Sequence, residues 1–456
     1  MRVAASVLDL IGRTPMVEAS RLDTGRCRLF IKLEALNPGG SIKDRIGVSM
    51  IEAAEKRGDI KPGDLLVEAT AGNTGLGLAL VAAVRGYRLL IVMPDKMSRE
   101  KVFNVQAMGA EVVLTRSDVQ KGHPEYYQDM AERLARERDG YYINQFGNAD
   151  NPAAHEATTG PEILEQMEGK VDAIVLGVGT SGTFTGISRY FREHSPATEF
   201  VLADPEGSVL ADYINTGKLG EASRWMVEGI GEDFIPTIAD LSAAKRAYTI
   251  PDAESFAVAR EVLRKEGLLL GSSSGTLIAA ALRYCREQTE ARRVVTLGCD
   301  TGAKYLSKVY NDFWLAEHGF VAQPKTGTLA DLVTRPHRAH ATVTVAPEDT
   351  LSTAHDRLRD GGYSQLPVVR NGRLVGAVTE ADLLRSVTEL KLPFDAPVGR
   401  VMNAGFPRMD VGDPAVWLAE RLTLEPAVAI EQGDEFVGLV TRADYLTWIR
   451  NRGAKT

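Results

Sequence analysis

Cysteine is scarce in this sequence: Cys27, Cys285 and Cys299 are the only three in 456 residues. Thiols so few and so scattered build neither a disulfide framework nor a zinc site, and a reducing, cytoplasmic setting is the expectation. Long apolar runs are missing as well. No stretch approaches the ~20 apolar residues of a membrane-spanning helix, and near the N-terminus Asp9 and Arg13 break up any signal-like core. Nor is there an excess of basic charge. Lys+Arg number 53 against 61 Asp+Glu, a formal net charge of −8, which argues against a nucleic acid or another polyanion as partner. What remains, 44% hydrophobic and 25% charged residues, is an ordinary globular composition. The length suffices for about three units of ~150 residues.

Up to about residue 318 the pattern alternates strand and helix. Leu29-Phe30-Ile31-Lys32-Leu33, Leu89-Leu90-Ile91-Val92-Met93, Glu111-Val112-Val113-Leu114, Ala173-Ile174-Val175-Leu176, Phe200-Val201-Leu202-Ala203 and Val294-Val295-Thr296-Leu297 read as buried strands. Helical stretches at 75–85, 125–138 and 255–266 lie between them. Apolar strands separated by helices predict an α/β fold with a parallel sheet covered on both faces. After Phe320 a stretch at 322–327 reads as a linker. Beyond it come two similar units, Leu366-Pro367-Val368-Val369 leading to Gly376-Ala377-Val378-Thr379-Glu380-Ala381-Asp382, and Glu425-Pro426-Ala427-Val428 leading to Gly438-Leu439-Val440-Thr441-Arg442-Ala443-Asp444. A strand-turn-strand-helix unit repeated twice at about 60 residues is a duplicated small α/β module, because a solenoid needs ~3 or more repeats.

Four segments carry chemistry. In Asn37-Pro38-Gly39-Gly40-Ser41-Ile42-Lys43-Asp44-Arg45, Lys43 is either a solvated helix-start residue or, beside an apolar wall, an amine of lowered pKa able to form a Schiff base. Glu68-Ala69-Thr70-Ala71-Gly72-Asn73-Thr74-Gly75 follows a strand and precedes a helix. It is either an N-capped turn or a cradle for a carboxylate or phosphate. Gly177-Val178-Gly179-Thr180-Ser181-Gly182-Thr183 is a literal G-x-G-x-x-G, with Asp204 about 20 residues beyond, so a nicotinamide dinucleotide site competes here with a simpler phosphate cradle. Gly271-Ser272-Ser273-Ser274-Gly275-Thr276 precedes a predicted helix at 277–286 and would be an N-cap in the plainest view.

Taken in order, these four motifs resemble the fold-type-II pyridoxal-phosphate enzymes of the cysteine synthase and cystathionine beta-synthase family. The likeness also takes in Ile11-Gly12-Arg13-Thr14-Pro15, the stretch from Gln145 to His155, and Val227-Glu228-Gly229-Ile230-Gly231. It implies that Lys43 holds pyridoxal phosphate covalently and then serves as the general base. It implies further that Asn73 bonds the ring oxygen, that Gly179, Thr180, Ser181, Gly182 and Thr183 bind the phosphate, and that Ser273 faces the pyridine nitrogen. Thr70, Gly72, Thr74 and Gln145 would bracket the substrate carboxylate. No metal is implied. Two departures stand out: Ala71, where many relatives carry serine, and Glu232, where some carry an aromatic residue. Glu232 is either a solvated loop residue or a contact for the amine of an incoming amino-acid thiol.

The tail resembles a pair of cystathionine-beta-synthase domains, a Bateman module. Thr379 with Asp382 and Thr441 with Asp444 are candidates for an adenosyl ligand, or are simply helix caps. The expected layout is a catalytic unit over 1–318, a linker at 319–327, and domains over 328–390 and 391–456. The catalytic motifs begin almost at once, with no cysteine- and histidine-bearing extension before them, so no haem is expected. A homodimer is. The implied reaction is a β-replacement that condenses L-serine, or an O-acylated serine, with L-homocysteine to L-cystathionine. Sulfide as nucleophile, which would make the product cysteine, is the nearest alternative, though the tail and Val227-Glu228-Gly229-Ile230-Gly231 lean toward the larger thiol. An NAD-dependent oxidoreductase would leave Lys43 and Ser273 without roles, and a purely nucleotide-sensing protein would not need Lys43, Asn73 and Ser273.

Overall fold

A computed structural model of the protein describes residues 3–70, 72–95, 97, 99–321 and 328–453. Ala71 and the predicted linker residues 322–327 lie outside the described residues. The chain divides into two compact units, Met1–Tyr310 and Asn311–Thr456. Among the described residues no helix is long and apolar enough to cross a membrane.

The first unit holds two sheets rather than one. In the larger, the strands run in the order Met16–Glu18, Arg28–Lys32, Arg293–Leu297, Ala173–Gly177, Glu199–Pro205 and Ala244–Ile250, all parallel except the first. The smaller sheet is wholly parallel, in the order Glu111–Thr115, Arg88–Pro94, Leu65–Ala69 and Tyr141–Tyr142. Five of the six apolar runs supply central strands; the sixth, Glu111–Thr115, is an edge strand with only Thr115 buried. Ala173, Ile174, Val175 and Leu176 have no exposed surface, and every residue of Leu65–Ala69 is buried, as a sheet covered on both faces requires.

Helix Lys43–Arg57 packs on helix Asn73–Arg85. Two glycines set their separation: a Cβ on Gly47 would lie 2.8 Å from the Gly77 carbonyl carbon, and one on Gly77 would lie 2.8 Å from the Lys43 carbonyl oxygen. Any side chain there would push apart the two helices that carry Lys43 and Asn73.

Beneath the first turn of helix Lys43–Arg57 lies a buried ionic network. The Arg45 guanidinium donates to both carboxylate oxygens of Glu34 at 2.8 Å and to Glu162, which also pairs with Lys32. Burial alone would raise the Glu162 carboxyl, but Arg45 and Lys32 hold it down at about 2. A carboxyl depressed on folding stabilises the native state above its unfolded pKa of ~4.3, and that contribution disappears as pH falls toward 2. Glu162→Gln is therefore expected to be less stable than the unaltered protein at pH 7. Urea unfolding at a series of pH values should show the gap closing between pH 4 and 2; a constant gap would show that the loss is not electrostatic.

The second unit contains the repeat seen in the sequence. Helix Leu351–Gly361, strands Gln365–Arg370 and Arg373–Thr379 and helix Glu380–Thr388 are matched by helix Ala415–Leu424, strands Ala427–Gln432 and Glu435–Thr441 and helix Arg442–Gly453. Both strand pairs are antiparallel and slip register at the equivalent point, between Val368 and Val369 and between Ile430 and Glu431. One apolar cluster, Leu374, Ala377, Phe406, Ala427, Ala429 and Phe436, draws on both copies.

Candidate active site

A cavity of about 550 Å³ opens in the first unit, and its lining collects residues from all four chemistry-bearing segments. Lys43 enters it from the first position of its helix. The turn before it is pinned by the Ile42 N–H on the Cys299 carbonyl (2.9 Å) and by the Lys43 N–H on Ser41 Oγ (3.2 Å). Burial lowers the pKa of the Lys43 amine, with the neighbouring Cys299, Glu232 and Asp300 pulling the other way. A lysine in such a place is an available nucleophile.

Thr70, Gly72, Thr74 and Gln145 come together on one wall. Thr74 Oγ1 donates to Gln145 Oε1 at 2.7 Å, Gln145 Nε2 donates to the Ala69 carbonyl at 3.0 Å, and the Gly72 N–H points at Thr70 Oγ1 at 3.3 Å. Asn73 is held from both sides. Its Nδ2 donates to Asp300 Oδ2 (2.8 Å), and Lys304 Nζ donates to its Oδ1 (2.8 Å). Gly179, Thr180, Ser181 and Thr183 line the cavity as well, with Gly182 opening the helix Gly182–His194. The residue before that helix, Ser181, takes a left-handed φ of 72° and caps nothing with its side chain. The helix thus presents uncapped N–H groups, the ordinary means of holding a phosphate. The glycines leave no spare room: a Cβ on Gly179 would fall 2.6 Å from the Gly229 carbonyl oxygen, and one on Gly182 would run into Asn151. Asn151 Nδ2 donates to Thr180 Oγ1 (3.0 Å), and buried His155, pushed well below the usual histidine pKa by burial and then by Lys43, reaches Thr183 Oγ1 through Nε2 (3.2 Å).

The serine cluster is not a cap. The helix begins at Ser272 with Gly271 as its N-cap, so Ser273 sits in its first turn, facing the cavity and the Cys299 thiol. Burial, and after it Asp300, push that thiol up to about 12, so it stays protonated. Asp204 is committed elsewhere: one carboxylate oxygen accepts the Ala211 N–H (2.8 Å) and the other is buried. The acid that would bind a dinucleotide ribose is closed off, and the phosphate-cradle alternative for the glycine loop gains accordingly.

Several lining groups have partners that leave no signature in the sequence. Glu228 is gripped by Lys101 and by Lys308 (2.8 Å); burial opposes its ionisation, yet the two lysines hold its carboxyl below the usual range. Tyr305 donates to Asp300 at 2.6 Å. These partners are 80 to 127 positions apart in the first case, so only the fold unites them. Among the described residues no cluster of His, Cys, Asp and Glu is arranged to hold a metal.

In the tail, each Thr/Asp pair caps the start of a helix, Glu380–Thr388 in the first copy and Arg442–Gly453 in the second. Thr379 Oγ1 donates to Asp382 Oδ2 (2.7 Å) and accepts the Asp382 N–H (3.1 Å); Thr441 and Asp444 repeat the pattern at 2.6 and 3.3 Å. Asp444 also accepts Thr334 Oγ1 at 3.2 Å.

A depressed lysine amine, an uncapped helix terminus for a phosphate and a hydroxyl-and-amide wall for a carboxylate fit pyridoxal phosphate together with an amino acid, and that combination defines the class. Residues 7–300 match the family described as pyridoxal-phosphate dependent enzyme, and residues 330–389 match the CBS domain. Cystathionine beta-synthase of Oryctolagus cuniculus is 38% identical, covering 99% of this chain and 86% of its own, and that of Dictyostelium discoideum is 37% identical, covering 97% and 92%. A crystal structure of an O-acetylserine dependent cystathionine beta-synthase from Helicobacter pylori superposes with a TM-score of 0.63 at 38% identity, covering 68% of this chain and all of that one. The chain belongs to the pyridoxal-phosphate dependent enzymes, in the cystathionine beta-synthase family.

Proposed function

We propose that the protein catalyses β-replacement on L-serine, or on an O-acylated serine, with L-homocysteine as nucleophile, forming L-cystathionine and releasing water or the carboxylic acid. The observation that carries this reading is the placement of the Lys43 amine in one cavity with the Thr70, Thr74 and Gln145 wall and the uncapped start of helix Gly182–His194. Lys43 would hold the cofactor, the 179–183 turn its phosphate, Asn73 its ring oxygen, and Ser273 would face its ring nitrogen. When bound, the cofactor supplies an electron sink that makes the substrate Cα acidic. Thr70, Gly72, Thr74 and Gln145 orient the substrate carboxylate, and Lys43, once free, takes the proton from Cα. A neutral hydroxyl at Ser273 keeps the sink moderate, which favours expulsion of the β-substituent.

The purified protein is expected to be yellow, to change its absorption when serine or O-acetylserine is added, and to return to the starting spectrum when homocysteine follows. A colourless protein that binds NAD would overturn the reading. We further infer a homodimer, and an adenosyl ligand in the tail near Thr379 and Thr441. Because every proposed catalytic group precedes Tyr310, a chain stopped at Glu317 should keep the yellow cofactor and its turnover. S-adenosylmethionine should raise the melting temperature of the full chain but not of the shortened one, by mass action on the folded tail.

A further inference from the structure

Glu232 is a half-buried residue in a loop that lines the cavity. Its backbone is fixed on both sides: the Glu232 N–H donates to Ser208 Oγ (3.1 Å), and its carbonyl accepts the Val209 N–H (3.0 Å) and the Ser208 hydroxyl (3.1 Å). One residue earlier the Gly231 N–H is bonded to the Val178 carbonyl (2.8 Å). With the main chain so tied, the side chain lines the cavity, and its carboxyl has no hydrogen-bond partner among the described residues. Of the two other lining carboxylates in this loop, Glu228 is already neutralised by Lys101 and Lys308, and Asp233 is exposed. Lys43 is the cation that acts on Glu232; burial, Asp233 and Asp204 all oppose its charge.

Glu232 is thus a half-buried, cavity-lining carboxyl with no hydrogen bond or ion pair of its own among the described residues, open to a group that brings a positive charge into the cavity. The first amino acid cannot be that partner, since its own amine is consumed in displacing Lys43. The second can, provided it is an amino acid: homocysteine brings a free α-ammonium, and sulfide brings none.

We propose that Glu232 binds the α-ammonium of the incoming amino-acid thiol and so selects it over sulfide. The assignment rests on the β-replacement reading and specifies which group chooses the nucleophile. Homocysteine differs from 4-mercaptobutyrate only by that ammonium, so the pair isolates the contact. Holoenzyme with O-acetylserine is expected to show at least a tenfold higher kcat/KM for homocysteine than for 4-mercaptobutyrate, equal to about 1.4 kcal/mol. Glu232→Gln should bring that ratio close to one, chiefly through the KM for homocysteine, while Glu232→Asp keeps part of it; a wild-type cofactor band in each variant establishes that the site is intact. An unchanged ratio in Glu232→Gln would overturn the proposal. So would a loss of sulfide turnover as deep as the loss with homocysteine, because Glu232 would then act in a step common to both. A wild-type protein that accepts sulfide alone would instead overturn the homocysteine reading, and this assignment with it.

Discussion

Lys43→Ala is expected to abolish the yellow colour of the protein and to lower turnover by about 10⁴-fold or more, since one amine both anchors the cofactor and moves the Cα proton. The two losses are separable. Primary amines added to the variant should restore some proton transfer, and with it measurable turnover, because they replace the base. Added amines cannot restore the fixed position of Lys43 at the start of its helix, so rescue should remain far below the unaltered rate. Full colour and near-normal turnover in Lys43→Ala would remove the foundation of the account.

Arg45→Met should cost about 3–5 kcal/mol in folding stability, read by urea unfolding at pH 7. Glu34 has no exposed side-chain surface, and its charge is balanced by the Arg45 guanidinium, with hydrogen bonds from Thr14 Oγ1 (2.6 Å) and Asn37 Nδ2 (2.9 Å). Removing the arginine strands a buried carboxylate. Replacing both partners, as in Arg45→Met with Glu34→Leu, should recover much of the loss, because no charge is then left unpaired. A loss below 1 kcal/mol for the single change would show that the network adds little. Arg45 lies two residues beyond Lys43, so a weakened hold on the cofactor should accompany the loss.

The sequence was most legible where burial writes a pattern. The runs around Ile31, Ile91, Val175, Leu202 and Val295 became central strands because only apolar residues fill a doubly covered sheet. Ala244–Ile250 escaped notice: it is an edge strand, largely half-exposed and carrying Lys245 and Arg246, so it forms no apolar run. Tyr141–Tyr142 is too short to show a period. The serines at 272–274 suggested a cap, yet they lie inside the helix, where burial against the sheet outweighs their modest helix propensity. Motif order pointed to Lys43, Asn73, Ser273 and the 179–183 turn, and the fold brings all of them to one cavity. The surroundings were not legible. That Asn73 is clamped by Asp300 and Lys304, or that Glu228 is held by Lys101 and Lys308, depends on contacts across more than 70 positions that leave no local trace. Glu232 is the clearest case: sequence left open whether it meets solvent or substrate, and only the tethered backbone around Ser208 turns it inward.

Product analysis by mass spectrometry reads out which nucleophile the enzyme joins to the donor. Serine and O-acetylserine are each offered with sulfide or with homocysteine, and the four mixtures are compared at equal nucleophile concentration. L-cystathionine is expected wherever homocysteine is present with at least one of the two donors, in higher yield than the cysteine formed in the matching sulfide mixture. Cysteine alone, with homocysteine left unreacted beside either donor, would contradict this expectation.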